Sequence, residues 1–293
     1  MAHDKPRVDA ATGTTTTGHE WDGISELNTP LPRWWLWVFY ACIVWAVGYW
    51  LVYPSWPLVS SYTKGMFGWQ SRDAIVADLA GLKVLRGPMT EKLANASLAD
   101  ISGDPSLLEF ARAQGKTAFA DNCAPCHGAG GAGAKGYPNL NDDDWLWGGK
   151  LTDIATTITH GIRSADPDAR TGSMPAFGRD NMLPKADIAA AADYVRSLAG
   201  LPADKGAQID KGKQVFADNC AVCHGEDGKG NRELGAPNLT DRIWLYGSDK
   251  AVIVEGLTNG RGAVMPNWGG RLDASTVKAL AVYVHTFGGG EKE

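Results

Sequence analysis

Two short runs of this sequence carry groups that can do chemistry together: Cys123-Ala124-Pro125-Cys126-His127 and Cys220-Ala221-Val222-Cys223-His224. Each is C-x-x-C-H, the spacing of c-type haem attachment. The two thiols can add to the two vinyl groups of a haem as thioethers, and the adjacent histidine then sits under the iron as proximal ligand. Two C-x-x-C pairs could instead bind zinc, and one pair could cycle as a redox dithiol. Neither chemistry calls for a histidine directly after each pair. The residues therefore predict two covalently bound haem c groups, on Cys123 and Cys126 with His127, and on Cys220 and Cys223 with His224.

The elements that must position these groups are written twice. Residues 115–128 read GKTAFADNCAPCHG and residues 212–225 read GKQVFADNCAVCHG, identical at eleven of fourteen positions. The likeness runs on through Pro138-Asn139-Leu140 and Pro237-Asn238-Leu239, Trp145 and Trp244, Met174-Pro175 and Met265-Pro266, and Tyr194-Val195 and Tyr283-Val284. A repeat this long points to two copies of a domain rather than a solenoid unit. A helix is expected over 107–121, leading into the first motif. Gly115 and Phe119, like Gly212 and Phe216, suit a close helix crossing, with 185–198 and 274–287 as the partner helices. The linker 199–210, with Gly200, Pro202 and Gly206, marks the boundary. The predicted domains are 105–200 and 207–288.

Ahead of them lies an apolar run with no charged residue from Trp34 to Thr63. Its first twenty residues are enough to cross a bilayer of about 30 Å. Tryptophan and tyrosine crowd both ends, as at two membrane interfaces, and Pro54 and Pro57 stop the helix. The run follows a mostly polar segment of 33 residues, and no small-residue cleavage site follows it closely, so it reads as an uncleaved anchor over 34–56. Cys42, the fifth cysteine, is expected as a small buried hydrophobe. Residues 1–33 carry the tract TGTTTTG and are expected to be flexible until Trp21. Residues 57–104 form a helical connector broken at Gly87-Pro88. The closing GGGEKE is a polar tail, and His3, His19 and His285 are expected to face solvent. A net charge of -5 gives no basic footprint for nucleic acid. The predicted class is all-α: one N-terminal transmembrane helix followed by two tandem haem domains.

The repeat resembles class I cytochrome c domains, which share an N-terminal helix, C-x-x-C-H, a Pro-Asn-Leu loop, a Met-Pro loop and a C-terminal helix. That resemblance implies methionine as second axial ligand, Met174 in SMPAFG and Met265 in VMPNWG. Thioether ligation raises the haem potential. His160 stands where the second copy has Asn259, inviting a bis-histidine alternative to Met174 at the first haem. Met182 is a weaker rival, and the insert 164–171 sets the first copy's distal loop apart. The Pro138 and Pro237 carbonyls are placed to orient His127 and His224.

From His19 onward the whole chain resembles the CcoP/FixP family, the dihaem subunit of cbb3-type cytochrome c oxidases. The specific part is DGI-x-EL-x-x-PLPRWW, followed by one membrane helix and two c-type domains. The resemblance implies an electron-transfer subunit, not itself catalytic, in a proton-pumping haem-copper oxidase. It would accept electrons from a periplasmic cytochrome c or a bc1 complex. It would pass them through a monohaem subunit towards the catalytic subunit that reduces oxygen to water. No copper or catalytic residue is read in this chain. Because c-type haem is attached outside the bacterial cytoplasmic membrane, the domains are expected in the periplasm and the N-terminus in the cytoplasm. The competing readings are a free-standing anchored dihaem carrier and a dihaem peroxidase with one open iron position.

Overall fold

The computed structural model describes residues 5–292. They fall into two compact units divided between Val84 and Leu85, inside one helix.

In the first unit, Asp22 and Gly23 both adopt positive φ, 51° and 83°. That is what a two-residue hairpin turn of matching twist requires, and Asp-Gly supplies it. The turn joins β1 (Thr16–Trp21) to β2 (Ile24–Leu27), with Trp21 opposite Ile24. The expectation of flexibility up to Trp21 is therefore corrected: the Asp-Gly signal is local and outweighs the Thr-Gly tract before it. Helix α1 (Arg33–Val52) follows, twenty residues with a mean hydropathy of 1.7 and no buried residue. It is long and apolar enough to cross a membrane, and it packs into no protein core. Cys42 lies on this helix and packs against no protein core. The helix stops short of residue 56, because Pro54 forces Tyr53 into an extended conformation (φ -112°, ψ 161°).

Helix α2 (Ser71–Asn95) runs straight through Gly87-Pro88. The expected break does not occur. Proline there forfeits one backbone bond, while Met89 and the fully buried Leu93 beyond it anchor the turn that follows in a hydrophobic core. Helix α3 (Leu98–Gly103) begins with a reciprocal Ser97–Asp100 capping box. Helix α4 (Pro105–Asn122) starts on Asp104, whose carboxylate accepts from the Ser106 and Leu107 N–H groups. The remaining elements are α5 (Ala124–His127), α6 (Leu151–His160), α7 (Lys185–Leu198), α8 (Ile209–Asn219), α9 (Ala221–His224), α10 (Lys250–Asn259) and α11 (Ala274–His285).

Their packing departs from two consecutive domains. Helix α4 packs on α11, from the far end of the chain, and α6 also leans on α11; α7 packs on α8 and α10. The glycine crossings show it at atomic scale. A Cβ on Gly115 would lie 2.3 Å from the Ala279 carbonyl oxygen and 2.6 Å from the Tyr283 Cβ. One on Gly212 would lie 2.0 Å from the Ala190 oxygen and 2.7 Å from the Tyr194 Cβ. The crossings are those expected, but the partners are exchanged. One lobe is built from α4, α5, α6 and α11, the other from α7 to α10. The expected divisions 105–200 and 207–288 describe the repeat along the sequence. The physical reason for the exchange is connection length: ten residues join α7 to α8, and helices joined by a short link become neighbours.

The C-terminal tail is tied down. The Gly149 N–H donates to Glu291 Oε2 and the Glu291 N–H to the Gly149 oxygen, both at 2.8 Å. Arg232 pairs with Glu291 Oε1 at 2.6 Å. His285 Nε2 donates to the Glu291 carbonyl at 2.8 Å, so His285 does not face solvent as expected. His19 is exposed; His3 lies outside the described residues.

Candidate functional site

Each C-x-x-C-H motif is a single helical turn hung on the end of a longer helix. The Cys123 N–H caps α4 by donating to the Phe119 oxygen at 2.8 Å, and the His127 N–H donates to the Cys123 oxygen at 2.9 Å. Cysteine and histidine four apart on a helix share a face, with the second cysteine beside them at three apart. Gly128, at φ 79°, ends the turn. Residues 220–225 repeat the arrangement, with the Cys220 N–H to Phe216 at 2.8 Å, the His224 N–H to Cys220 at 3.0 Å, and Gly225 at φ 79°.

The Nδ1 of His127 lies 3.1 Å from the Pro138 carbonyl oxygen, and that of His224 lies 3.0 Å from the Pro237 oxygen. A carbonyl only accepts, so Nδ1 carries the proton and Nε2 is left as an unprotonated donor for a metal. Burial holds both histidines below their usual pKa against the opposing pull of those carbonyls. A neutral imidazole is the form that binds iron. Burial, with the neighbouring cysteine, raises the Cys123 and Cys220 thiols to about 11. None of the four motif cysteines is in a disulfide.

The methionines complete the exchange of partners. Met265 packs against the cluster that holds Cys123, Ala124, Leu140, Ile154 and Ile158. Met174 packs against the cluster of Phe177, Ile188 and Leu257, and Ile253, which borders that cluster too, also lines the one around Cys220. The backbone fixes each loop in place. Met265 and Ile162 exchange two hydrogen bonds at 3.0 Å; Met174 and Arg261 exchange two, at 2.9 and 3.1 Å. Each methionine therefore packs in the lobe that carries the motif of the other repeat.

His160 closes α6 with its Nδ1 3.1 Å from Asp166 Oδ1, inside the insert 164–171. Asp168 lies in the same group. Met182 is 55% exposed and borders neither apolar cluster. The paired tryptophans differ: Trp145 Nε1 donates to the Gly289 oxygen at 2.6 Å, whereas Trp244 Nε1 is buried without a partner. An orphaned buried donor costs about 1–3 kcal/mol unless something accepts from it. That orphan, the two free imidazole nitrogens, the paired thiols and the two apolar clusters with their methionines form a donor set that fits two covalently held haems.

Several arginines escaped the reading of the sequence. Arg163 donates to carbonyls of both methionine loops, Arg261 lies over the Tyr246 ring at 3.9 Å, and Arg170 bonds Thr157 Oγ1 at 2.9 Å and lies over Trp147. Arg163 and Arg261 sit one register apart in the two repeats, facing Gly262 and Ile162, so comparing the copies hides them.

Comparison with known proteins bears on all these segments. Residues 13–60 match the N-terminal domain of cytochrome oxidase-cbb3, FixP; residues 112–199 match cytochrome c; and residues 207–284 match cytochrome c oxidase, cbb3-type, subunit III. The chain is 63% identical over 290 residues to the cbb3-type cytochrome c oxidase subunit FixP of Azorhizobium caulinodans, spanning 99% of this chain and 98% of that protein. It is 60% identical to FixP of Bradyrhizobium diazoefficiens, over 98% of this chain and 99% of that one. It is 49% identical to subunit CcoP of Cereibacter sphaeroides, over 94% and 95%.

Proposed function

The chain belongs to the FixP/CcoP family of cbb3-type cytochrome c oxidase subunits, and from that membership we propose which residues do its work and where it does it. It is a dihaem electron-transfer subunit with two covalently bound haem c groups. Each haem, when bound, supplies a one-electron carrier, and the protein's part is to hold it, orient it and set its potential.

Cys123 and Cys126 hold the first haem and Cys220 and Cys223 the second. His127 and His224 are the proximal ligands, their rings fixed by the Pro138 and Pro237 carbonyls. The methionines would serve across the repeats: Met265 would help hold the haem of His127, and Met174 that of His224. The observation that carries this assignment is the Ile162–Met265 backbone pair, which sets Met265 beside the end of α6 in the first lobe. His160 ends α6 with its Nδ1 on Asp166, and Met265 is preferred to it because Met265 packs in the cluster that includes Cys123. The apolar walls exclude water and favour the uncharged imidazole.

The subunit is membrane-anchored through α1, and we place the haem lobes in the periplasm. Its partners are the catalytic haem-copper subunit and a monohaem c-type subunit, with a soluble cytochrome c or a bc1 complex as donor. Anchoring raises the effective concentration of the lobes at the membrane complex.

Purification in mild detergent through a C-terminal tag, with a reduced-minus-oxidised spectrum and an oxygen-uptake assay, tests the assignment to a complex. Co-purifying b-type haem, copper and cytochrome c oxidase activity is the expected result. A pure c-type spectrum without oxygen uptake would return the free-standing carrier.

A further inference from the structure

The two distal loops meet on one side chain. Arg163 follows directly on Ile162, the residue whose backbone pairs with Met265. Its Nε donates to the Ala263 carbonyl oxygen at 2.6 Å, and its Nη1 donates to the Gly172 carbonyl oxygen. Gly172 stands two residues before Met174, and Ala263 two residues before Met265. One guanidinium thus grips the same position in both methionine loops, from two different repeats.

The backbone of Arg163 is built for this. It is one of three non-glycine residues with positive φ among the described residues, at 52°. Its N–H donates to the Arg170 oxygen at 2.6 Å, closing the base of the insert that the second repeat lacks. A left-handed conformation is unfavourable for a non-glycine residue, and it is held here by bonds on three sides. The planar fork of arginine can serve two carbonyls in fixed directions at once, which a lysine ammonium on a flexible stem cannot reproduce. In the second repeat the equivalent position is Gly262, which has no side chain to make such a tie.

We propose that Arg163 is a positioning residue that sets both axial methionines together, so that the two haem potentials are coupled through one side chain. The proposal rests on the assignment of Met174 and Met265 as distal ligands. Releasing the guanidinium would free both loops upstream of their methionines and loosen the hold of Met174 and Met265 on bound haem iron. Because methionine ligation raises haem potential, both potentials fall.

The test is potentiometric titration of the full-length, haem-loaded protein, with the near-infrared methionine-to-iron charge-transfer band of the oxidised form as a second readout. It compares the wild type with R163Q, R163K, M174L and M265L, each checked for two haems per chain. The expected result for R163Q is a fall in both potentials and a loss of more than half of the band, since one haem alone accounts for no more than half. R163K should resemble R163Q, because it keeps the charge but not the fork. Full rescue by lysine would mean that charge alone matters and would overturn the positioning role. A change confined to one haem, or none, would overturn the coupling. If M174L and M265L leave the band intact, the ligand assignment itself fails, an outcome separable from failure at Arg163. Should R163Q lose haem, R163K carries the same comparison.

Discussion

Ile162 and Met265 exchange both backbone hydrogen bonds, each at 3.0 Å, although they lie in different copies of the sequence repeat. This pairing brings the distal loop of the second copy to the motif of the first. In a variant carrying only the second haem (Cys123→Ser with Cys126→Ser), Met174→Leu should lower the remaining potential and Met265→Leu should leave it nearly unchanged. In the reciprocal variant (Cys220→Ser with Cys223→Ser) the sensitivities should reverse. Redox titration of the four combinations decides it, and sensitivity to the methionine of the same repeat would refute the exchange.

The crossing of α4 with α11 makes the first lobe depend on the end of the chain. A chain ended at residue 206 keeps the first motif but loses Val277, Leu280, Val282 and Val284, which are buried beside Leu107, Ala111 and Phe119. Uncovering a large core side chain forfeits roughly 1.5–3 kcal/mol each, which is of the same order as a domain's whole stability. Such a truncation should give a first lobe degraded by limited proteolysis under conditions where the full chain resists. A protease-resistant fragment binding one low-spin haem would contradict this packing.

Asp144 should make stability fall with rising pH. Its burial, with Asp241 and Asp142 nearby, raises its carboxyl to about 6. The folded state then keeps a proton that the unfolded chain has released, so stability declines as pH climbs from about 4 to about 6. Asp144→Asn removes the decline and should stabilise the protein at pH 7, on the order of 1 kcal/mol once solvent screening is allowed for. At pH 4 it should change little. Thermal melts at the two pH values measure the difference, and an equal gain at both would show that charge is not the cause.

Glu291 predicts the opposite slope. Burial opposes its ionisation, but the Gly149 N–H and Arg232 outweigh it and hold the carboxyl below its usual range. A lowered carboxylate contributes stability above the unfolded pKa and loses it as pH falls through the folded one. Glu291→Gln should therefore lower the melting temperature at pH 7, and the gap to wild type should close in acid. A deficit that persists unchanged in acid would assign the loss to packing.

Much of this protein was written in local sequence. C-x-x-C-H needs only one helical turn to bring its three side chains together, so Cys123, Cys126, His127 and their copies could be read without a fold. The carbonyls of Pro138 and Pro237 were legible because the same loop occurs twice, and α1 because a bilayer span is a matter of length and composition. The Asp22-Gly23 turn was equally local and was passed over. What the sequence could not decide was which copy pairs with which. Gly115 and Gly212 demand the same close partner, and Tyr194 and Tyr283 offer the same surface, so either pairing satisfies local complementarity. The short link from α7 to α8 breaks that tie in three dimensions. With it come the destinations of Met174 and Met265 and the place of Arg163 between them. Long-range pairing depends on chain connection and on packing summed over whole helices, and no window of sequence contains either.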